Sequence, residues 1–288
     1  MKPLLEQLLI KYQLQTADDY INALREILQQ IILLGLWRSK FFEKAAFYGG
    51  TSLRILYGLD RYSEDIDFSL LKADNRIDLS SYNNAIQKEL AAFGLSVEIT
   101  TREKSGNSQI ESAFLKVNTR EMLLTIGADP GLVNLFPRNQ KIKIRYEVDT
   151  DPPGGFDTEF KYLFVPLPIA VRTFTLPDLF AGKMHAILFR KWKTRVKGRD
   201  WYDLVWFASQ KPSLRLSHLE MRMRQSGHWK ESRSLTMDDF LALIKKTIDQ
   251  LNIQKAIEDV SPFLKHQDAT DLWSKEFFNA IIEKILFV

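Results

Sequence analysis

None of the 288 residues is cysteine. Disulfide staples, thiolate metal sites and cysteine nucleophiles are therefore excluded, and a reducing compartment is the natural expectation. Long apolar runs are missing as well. Ile27 to Trp37 falls far short of the ~20 apolar residues that a membrane span requires. The opening Met1-Lys2-Pro3-Leu4-Leu5-Glu6-Gln7 lacks the unbroken apolar stretch of a secretory leader. These absences predict a soluble, cytoplasmic protein with no membrane partner. Internal repeats and low-complexity tracts are also absent.

What remains is the composition of an ordinary globular protein, 45% hydrophobic and 26% charged, able to bury a sizeable core. Its length allows one large domain or two smaller ones, and two are expected. The net charge of +4 suits a nucleotide or nucleic-acid partner where the cations cluster. They do so between Arg190 and Arg199.

Before Ala45 the apolar positions Leu24, Ile27, Leu28, Ile31 and Ile32 recur at helical spacing, which predicts two helices ahead of any strand. A short apolar run from Ala45, a double glycine, a helix over Thr51 to Tyr57 and a turn at Gly58-Leu59-Asp60 follow. Asp65 to Leu71 then reads as a strand. A polar helix over Leu79 to Phe93 precedes β-like segments at Leu95 to Glu103, Glu111 to Asn118 and Ile142 to Asp149. Pro152-Pro153-Gly154-Gly155 is the sharpest break in the chain, and a strand pair is expected around Tyr162 to Phe174. From Pro177 the pattern is helical to the end, as in Leu179 to Phe189 and Met237 to Leu251. The expected fold is α+β, a mixed sheet flanked by helices over residues 1–175 with a helical C-terminal domain over 176–288.

The most informative stretch is Phe47-Tyr48-Gly49-Gly50-Thr51-Ser52-Leu53-Arg54, followed by Arg61-Tyr62-Ser63-Glu64-Asp65-Ile66-Asp67-Phe68. Residues two apart on a strand share a face, so Asp65 and Asp67 present two carboxylates side by side while Ile66 and Phe68 point the other way. Mg²⁺ commonly takes one or two such carboxylates together with phosphate oxygens. A third carboxylate completes a two-metal site, and Glu147 and Asp149, two apart on a later strand, are both candidates. The pattern does not choose between them; Glu147 is carried forward as a metal candidate. Gly49 and Gly50 ahead of a helix leave backbone N–H groups open to a triphosphate, with the hydroxyls of Thr51 or Ser52 at the helix N-terminus. Taken alone, a double glycine is a tight turn and an Asp-x-Asp a solvated strand edge. It is their order and spacing that make them specific.

Gly-Gly-Thr-Ser-Leu followed by Arg-x-Ser-x-Asp-Ile-Asp-Phe resembles the AbiEii/MenT nucleotidyltransferase toxins of bacteria, of the DNA-polymerase-β-like superfamily. The matching motifs run from about Phe47 to Leu204. A lysine on a helix, Lys183-Met184-His185-Ala186, and the stretch Arg199-Asp200-Trp201-Tyr202-Asp203-Leu204 fit the family pattern too. The resemblance implies that Lys183 contacts the triphosphate and that Asp200 or Asp203 completes the catalytic set. Arg61 and Ser63 of the first motif join the nucleotide-binding candidates. It further implies a nucleoside triphosphate substrate, Mg²⁺, tRNA as acceptor through its 3′ end, and a separately encoded antitoxin. Without the flanking motif, Lys183 reads as a snorkelling surface lysine and the two aspartates as helix N-terminal acids.

The basic segment interleaves Arg190, Lys191, Lys193, Arg195 and Lys197 with Trp192, as a phosphate-tracking, base-stacking surface does. A solvated basic loop is the plainer reading. His185 lies two residues from Lys183, so on a helix the two do not share a face. Trp201, Trp206, Phe207, Phe277 and Phe278 fit helix packing. The rival functions are nucleotide transfer to a small molecule or protein, and RNA binding without catalysis.

Overall fold

The computed structural model describes residues 2–12, 14–102, 109–190 and 196–288. The chain forms two compact units, one of Met1–Gly58, Tyr62–Pro152 and Phe160–Thr173, the other of Leu59–Arg61, Pro153–Glu159 and Phe174–Val288. The first unit is built from α1 (Lys2–Ile10), α2 (Ala17–Arg38), β1 (Ala45–Tyr48), α3 (Gly49–Tyr57), β2 (Ile66–Leu70), α4 (Ser80–Ala92), β3 (Glu98–Arg102), β4 (Ile110–Asn118), α5 (Thr119–Thr125), α6 (Pro130–Asn134), β5 (Lys141–Asp149) and, for the most part, β6 (Thr158–Leu163) and β7 (Ile169–Phe174).

Helix α2 starts where its sequence says it should. Thr16 accepts a hydrogen bond from the Asp19 amide, and the Asp19 carboxylate accepts one from the Thr16 amide, so two otherwise orphaned donors are satisfied reciprocally. Its stripe of Leu24, Ile27, Leu28, Ile31 and Ile32 is fully buried. At Gly35 the helix passes so close to α4 that a Cβ would lie 2.9 Å from the Ile86 Cα, which explains the glycine.

Among the described residues, seven strands form one mixed sheet in the order β3-β4-β5-β2-β1-β7-β6. β1 runs antiparallel to β2 and parallel to β7, and β2 runs parallel to β5. β4 is antiparallel to both β3 and β5. Strict alternation sets which face is which. Ile66 and Phe68 of β2, Ala113, Leu115 and Val117 of β4, and Ile142, Ile144, Tyr146 and Val148 of β5 are buried in the core. Phe68 meets Phe41 edge-to-face at 4.9 Å and Phe47 at 5.3 Å. The opposite face of β2 and β5 carries the polar residues.

The second unit contains α7 (Leu176–Phe189), α8 (Gly198–Gln210), β8 (Ser213–Leu214), α9 (Leu216–Gln225), α10 (Met237–Asp249), α11 (Ile253–Val260), α12 (Lys275–Ile282) and β9 (Leu286–Phe287). Phe240, Ile244 and Ile248 recur every fourth residue on the buried side of α10. Phe180 of α7 stacks on Phe207 of α8 at 4.4 Å, and Trp201 packs edge-on against Phe278 at 4.9 Å. The aromatic residues of these helices therefore pack the core.

The α+β class, the mixed sheet and the helical C-terminal region are as expected. The differences have local causes. The stretch after Pro177 also contains β8 and β9, a parallel two-residue pair too short to leave a periodic signal. Helices α5 and α6 were not anticipated from periodicity, yet both carry legible caps. Asn118 accepts from the Glu121 amide, and Asp129, ahead of Pro130, accepts from the Gly131 amide. Helix α7 begins at Leu176, because a proline is tolerated in a first turn.

Candidate active site

In the first unit, register brings the carboxylates together. Asp67 of β2 stands opposite Tyr48 on one side and opposite Glu147 of β5 on the other, and Ser69 stands opposite Asp149. Directly paired residues of neighbouring strands project to the same face, so Asp67 and Glu147 are side by side. Asp65, two residues earlier and just ahead of β2, continues the same row. Asp149 belongs to this face as well, one pleat further from Asp65.

Arg145 sits among these acids. Its Nη2 donates to Asp65 Oδ2 at 3.0 Å and its Nη1 to Glu147 Oε1 at 3.1 Å. Partial burial works against the guanidinium charge, but the hydrogen bond and charge of Asp65, with Glu147 and Asp67, raise its pKa above the usual value. Ser112 of β4 donates to the same Glu147 Oε1 at 3.2 Å. Among the described residues no three Asp, Glu or His side chains converge as a ready cage for a metal. The donor set itself, three carboxylates on one half-buried face, is the oxygen-only chemistry that a hard divalent cation takes.

The glycine pair has a geometric role. Gly49 adopts φ +82°, and a Cβ there would fall 2.5 Å from Asp67 Oδ2, so only glycine lets the start of α3 rest against that carboxylate. The hydroxyls after it turn inward, in contrast to the expectation that they face a triphosphate. Thr51 and Ser52 are fully buried. Thr51 is hydrogen-bonded to Ser63 Oγ at 2.8 Å and donates to the Asp65 carbonyl, while Ser52 donates to the Gly49 carbonyl at 2.9 Å. Thr51 and Ser63 thus lace helix α3 to the backbone that carries Asp65. From the other side the buried Gln29 of α2 donates to the carbonyls of Ser63 and Glu64, both at 3.0 Å.

The second unit holds a charge network. Asp200 and Asp203, three apart, share a face of α8. Lys183 of α7 lies 3.0 Å from Asp200 Oδ1 and 2.7 Å from Asp203 Oδ2. Arg61 meets Asp203 bidentately, Nε to Oδ1 and Nη2 to Oδ2, each at 2.7 Å. Arg61 is 2% exposed and Asp203 is fully buried. Arg190 adds a longer contact of 3.8 Å to Asp200. Burial opposes the charge of Lys183, yet Asp203 and then Asp200 raise its pKa above the ordinary lysine value. For Asp200 burial is likewise opposed, by Lys183 and then Arg190, and its pKa is lowered. Lys183 and Asp200 thus each favour the other's charged form. Arg61, expected at a nucleotide, is instead enclosed by protein and held by Asp203.

Of the basic segment, Arg190 ends α7 and Lys197 precedes α8, while Lys191, Lys193 and Arg195 lie outside the described residues. Arg199 places its guanidinium 4.1 Å from the centre of the Phe263 ring. His185 is hydrogen-bonded to Ser226 at 2.9 Å.

The family described as nucleotidyl transferase AbiEii toxin, of a type IV toxin–antitoxin system, matches residues 31–279. The chain belongs to this AbiEii family. It is accordingly a nucleotidyltransferase, and the type IV toxin–antitoxin setting is that of its family. The crystal structure of JHP933 from Helicobacter pylori resembles it in fold, with a TM-score of 0.50 at 17% identity, covering 90% of this chain and 87% of that one. A second Helicobacter pylori crystal structure, of a proposed nucleotidyltransferase, gives 0.48 at 17% identity over 90% and 89%. No curated protein sequence matches the chain.

Three residues of this AbiEii chain that touch the carboxylate row or its supporting loop escaped the reading of the sequence: Arg145, Ser112 and Gln29. Arg145 had a usable signal, since it shares the alternate positions of β5 with Glu147 and Asp149. Gln29 had a weaker one, a polar residue inside the apolar stripe of α2. Ser112 had none.

Proposed function

We propose that this nucleotidyltransferase moves a nucleotide from a nucleoside triphosphate to the 3′ end of tRNA in a Mg²⁺-dependent reaction, as the toxin partner of a separately encoded antitoxin. The observation that carries the reaction is the register of Asp67 against Glu147, with Asp65 on the same face and Gly49 against the Asp67 carboxylate. Asp65, Asp67 and Glu147 would hold the metal, whose bound form offsets charge on the attacking and leaving oxygens. Glu147 is favoured over Asp149 as third carboxylate because it stands directly opposite Asp67, whereas Asp149 stands opposite Ser69.

In this reading the acceptor hydroxyl oxygen attacks the α-phosphorus and the bond to the bridging oxygen of the β-phosphate breaks. Pyrophosphate leaves, and the hydroxyl proton passes to a carboxylate of the row. Gly49 and Gly50 present the first amides of α3 to the triphosphate. Thr51 and Ser63 act on the nucleotide indirectly, by fixing the backbone at Asp65. Lys183, a fully formed ammonium, supplies positive charge for the triphosphate. Asp203 and Arg61 position that lysine, and Asp200 shares it. Arg190 and Lys197, with the segment between them, contact the acceptor RNA.

The test is incorporation of label from each α-phosphate-labelled nucleoside triphosphate into total tRNA, protein and small acceptors, with and without Mg²⁺. Label in tRNA alone, dependent on Mg²⁺, is the expected result. Label only in protein or a small molecule replaces the acceptor. RNA binding with no transfer to any acceptor overturns the enzymatic reading.

A further inference from the structure

Arg145 is a cation within the carboxylate row that the proposed reaction does not use, and its placement is specific. One guanidinium spans Asp65 and Glu147 through two separate nitrogens, 3.0 and 3.1 Å away. It also sits on the alternate residue of β5 next to Glu147, so the strand itself aims it into the row. Without a cation, three carboxylates on one face repel one another, and Arg145 supplies the missing positive charge.

We infer that Arg145 is a positioning residue that occupies the electrostatic place of the divalent cation in the metal-free enzyme and must release Asp65 and Glu147 before the cation binds. The inference rests on the metal reading of the carboxylate row given above. Mg²⁺ needs oxygen ligands at about 2.1 Å in a near-octahedral shell. A guanidinium fork between the same carboxylates holds them at hydrogen-bonding distance from its own nitrogens instead. The two arrangements compete for Asp65 Oδ2 and Glu147 Oε1. The contest is open to solvent, since the side chains of Arg145, Asp65 and Glu147 are 41%, 38% and 24% exposed. Exposed ion pairs are weak, so the fork can be displaced. Once displaced it is a free cation beside the metal, suited to a bidentate contact with a phosphate. Metal and triphosphate thereby become coupled ligands. The metal frees the arginine, the triphosphate gives it a new partner, and each promotes binding of the other.

The test is Mn²⁺ binding to the purified full chain without nucleotide, read by the electron paramagnetic resonance of free Mn²⁺ and by the metal-induced rise in melting temperature. In Arg145→Gln the Mn²⁺ affinity is expected to increase by up to about fivefold, the range set by release of an exposed ion pair. The metal-free variant should melt lower than wild type and recover more on adding Mn²⁺. Arg145→Lys keeps the charge without the two-pronged geometry and should fall between, which preserves the test should Arg145→Gln fold poorly. Equal or weaker Mn²⁺ binding by both variants overturns the role of Arg145. Asp67→Asn in the same backgrounds separates the two claims. If Mn²⁺ binding survives that change, the metal reading of the row has failed. If Asp67→Asn abolishes binding while the arginine variants do not strengthen it, only the displacement has failed.

Discussion

Asp67 stands where three constraints meet: Tyr48 across β1, Glu147 across β5, and the Cα of Gly49 against its carboxylate. Its half-buried side chain faces away from the core, so Asp67→Asn changes charge at little cost in packing. Nucleotide transfer is expected to fall by about 10²-fold or more, the usual size for loss of an electrostatic catalytic group, with the melting temperature within a few degrees of wild type. A variant that melts far lower would assign Asp67 to stability instead. Asp203 predicts the opposite balance. It is fully buried between Arg61 and Lys183, and Asp203→Ala removes the bidentate partner of the buried Arg61 and one of the two carboxylates that hold Lys183. A loss of about 3–5 kcal/mol in urea unfolding is expected. A cost under 1 kcal/mol would show that the network contributes nothing to the fold. The two aspartates look alike in the sequence. Their difference arises because Arg61, 142 positions earlier, reaches Asp203, a pairing that no local pattern encodes.

Among the elements, the turn from β1 into α3 is the most constrained. Gly49→Ala meets both a positive φ and the Asp67 carboxylate, and should lose most activity, with a stability cost of about 1–3 kcal/mol. Unchanged kcat would contradict the close approach. Helices α7 and α9 yield a pH prediction through His185 and His218. Burial, then Arg222, press these imidazoles down to about 4 and about 3. In the unfolded chain both titrate near 6.5, so as pH falls the unfolded state binds protons first. Their contribution to stability is therefore complete above about pH 6.5 and is lost progressively as pH falls through about 4 and then 3. Urea midpoints should drop between pH 7 and pH 5, and equal midpoints would contradict it. Much at this scale was legible beforehand. Alternation marked β2, β4 and β5, and it placed Asp65 and Asp67 on one face. The order of the strands was not legible, because β2 lies between β1 and β5 only through pairings between segments far apart in the chain. The choice of Glu147 over Asp149 depends on that register.

At the scale of the whole molecule, the pattern of strands followed by helices already pointed to an α+β protein. The match to the AbiEii family over residues 31–279 makes it a nucleotidyltransferase of the toxin type. Among the described residues no helix is long and apolar enough to cross a membrane. The toxin reading predicts that induced expression of the wild-type chain arrests bacterial growth and that Asp67→Asn does not. Arrest by both would place the toxicity outside the carboxylate row.

The central claim, a Mg²⁺-dependent nucleotidyl transfer carried by Asp67 and Glu147 side by side, is tested most directly by incubating wild-type and Glu147→Gln protein with α-phosphate-labelled nucleoside triphosphates, Mg²⁺ and total tRNA. The account predicts labelled tRNA with the wild type and about 10²-fold less or none with the variant. Equal labelling by the two proteins would contradict it.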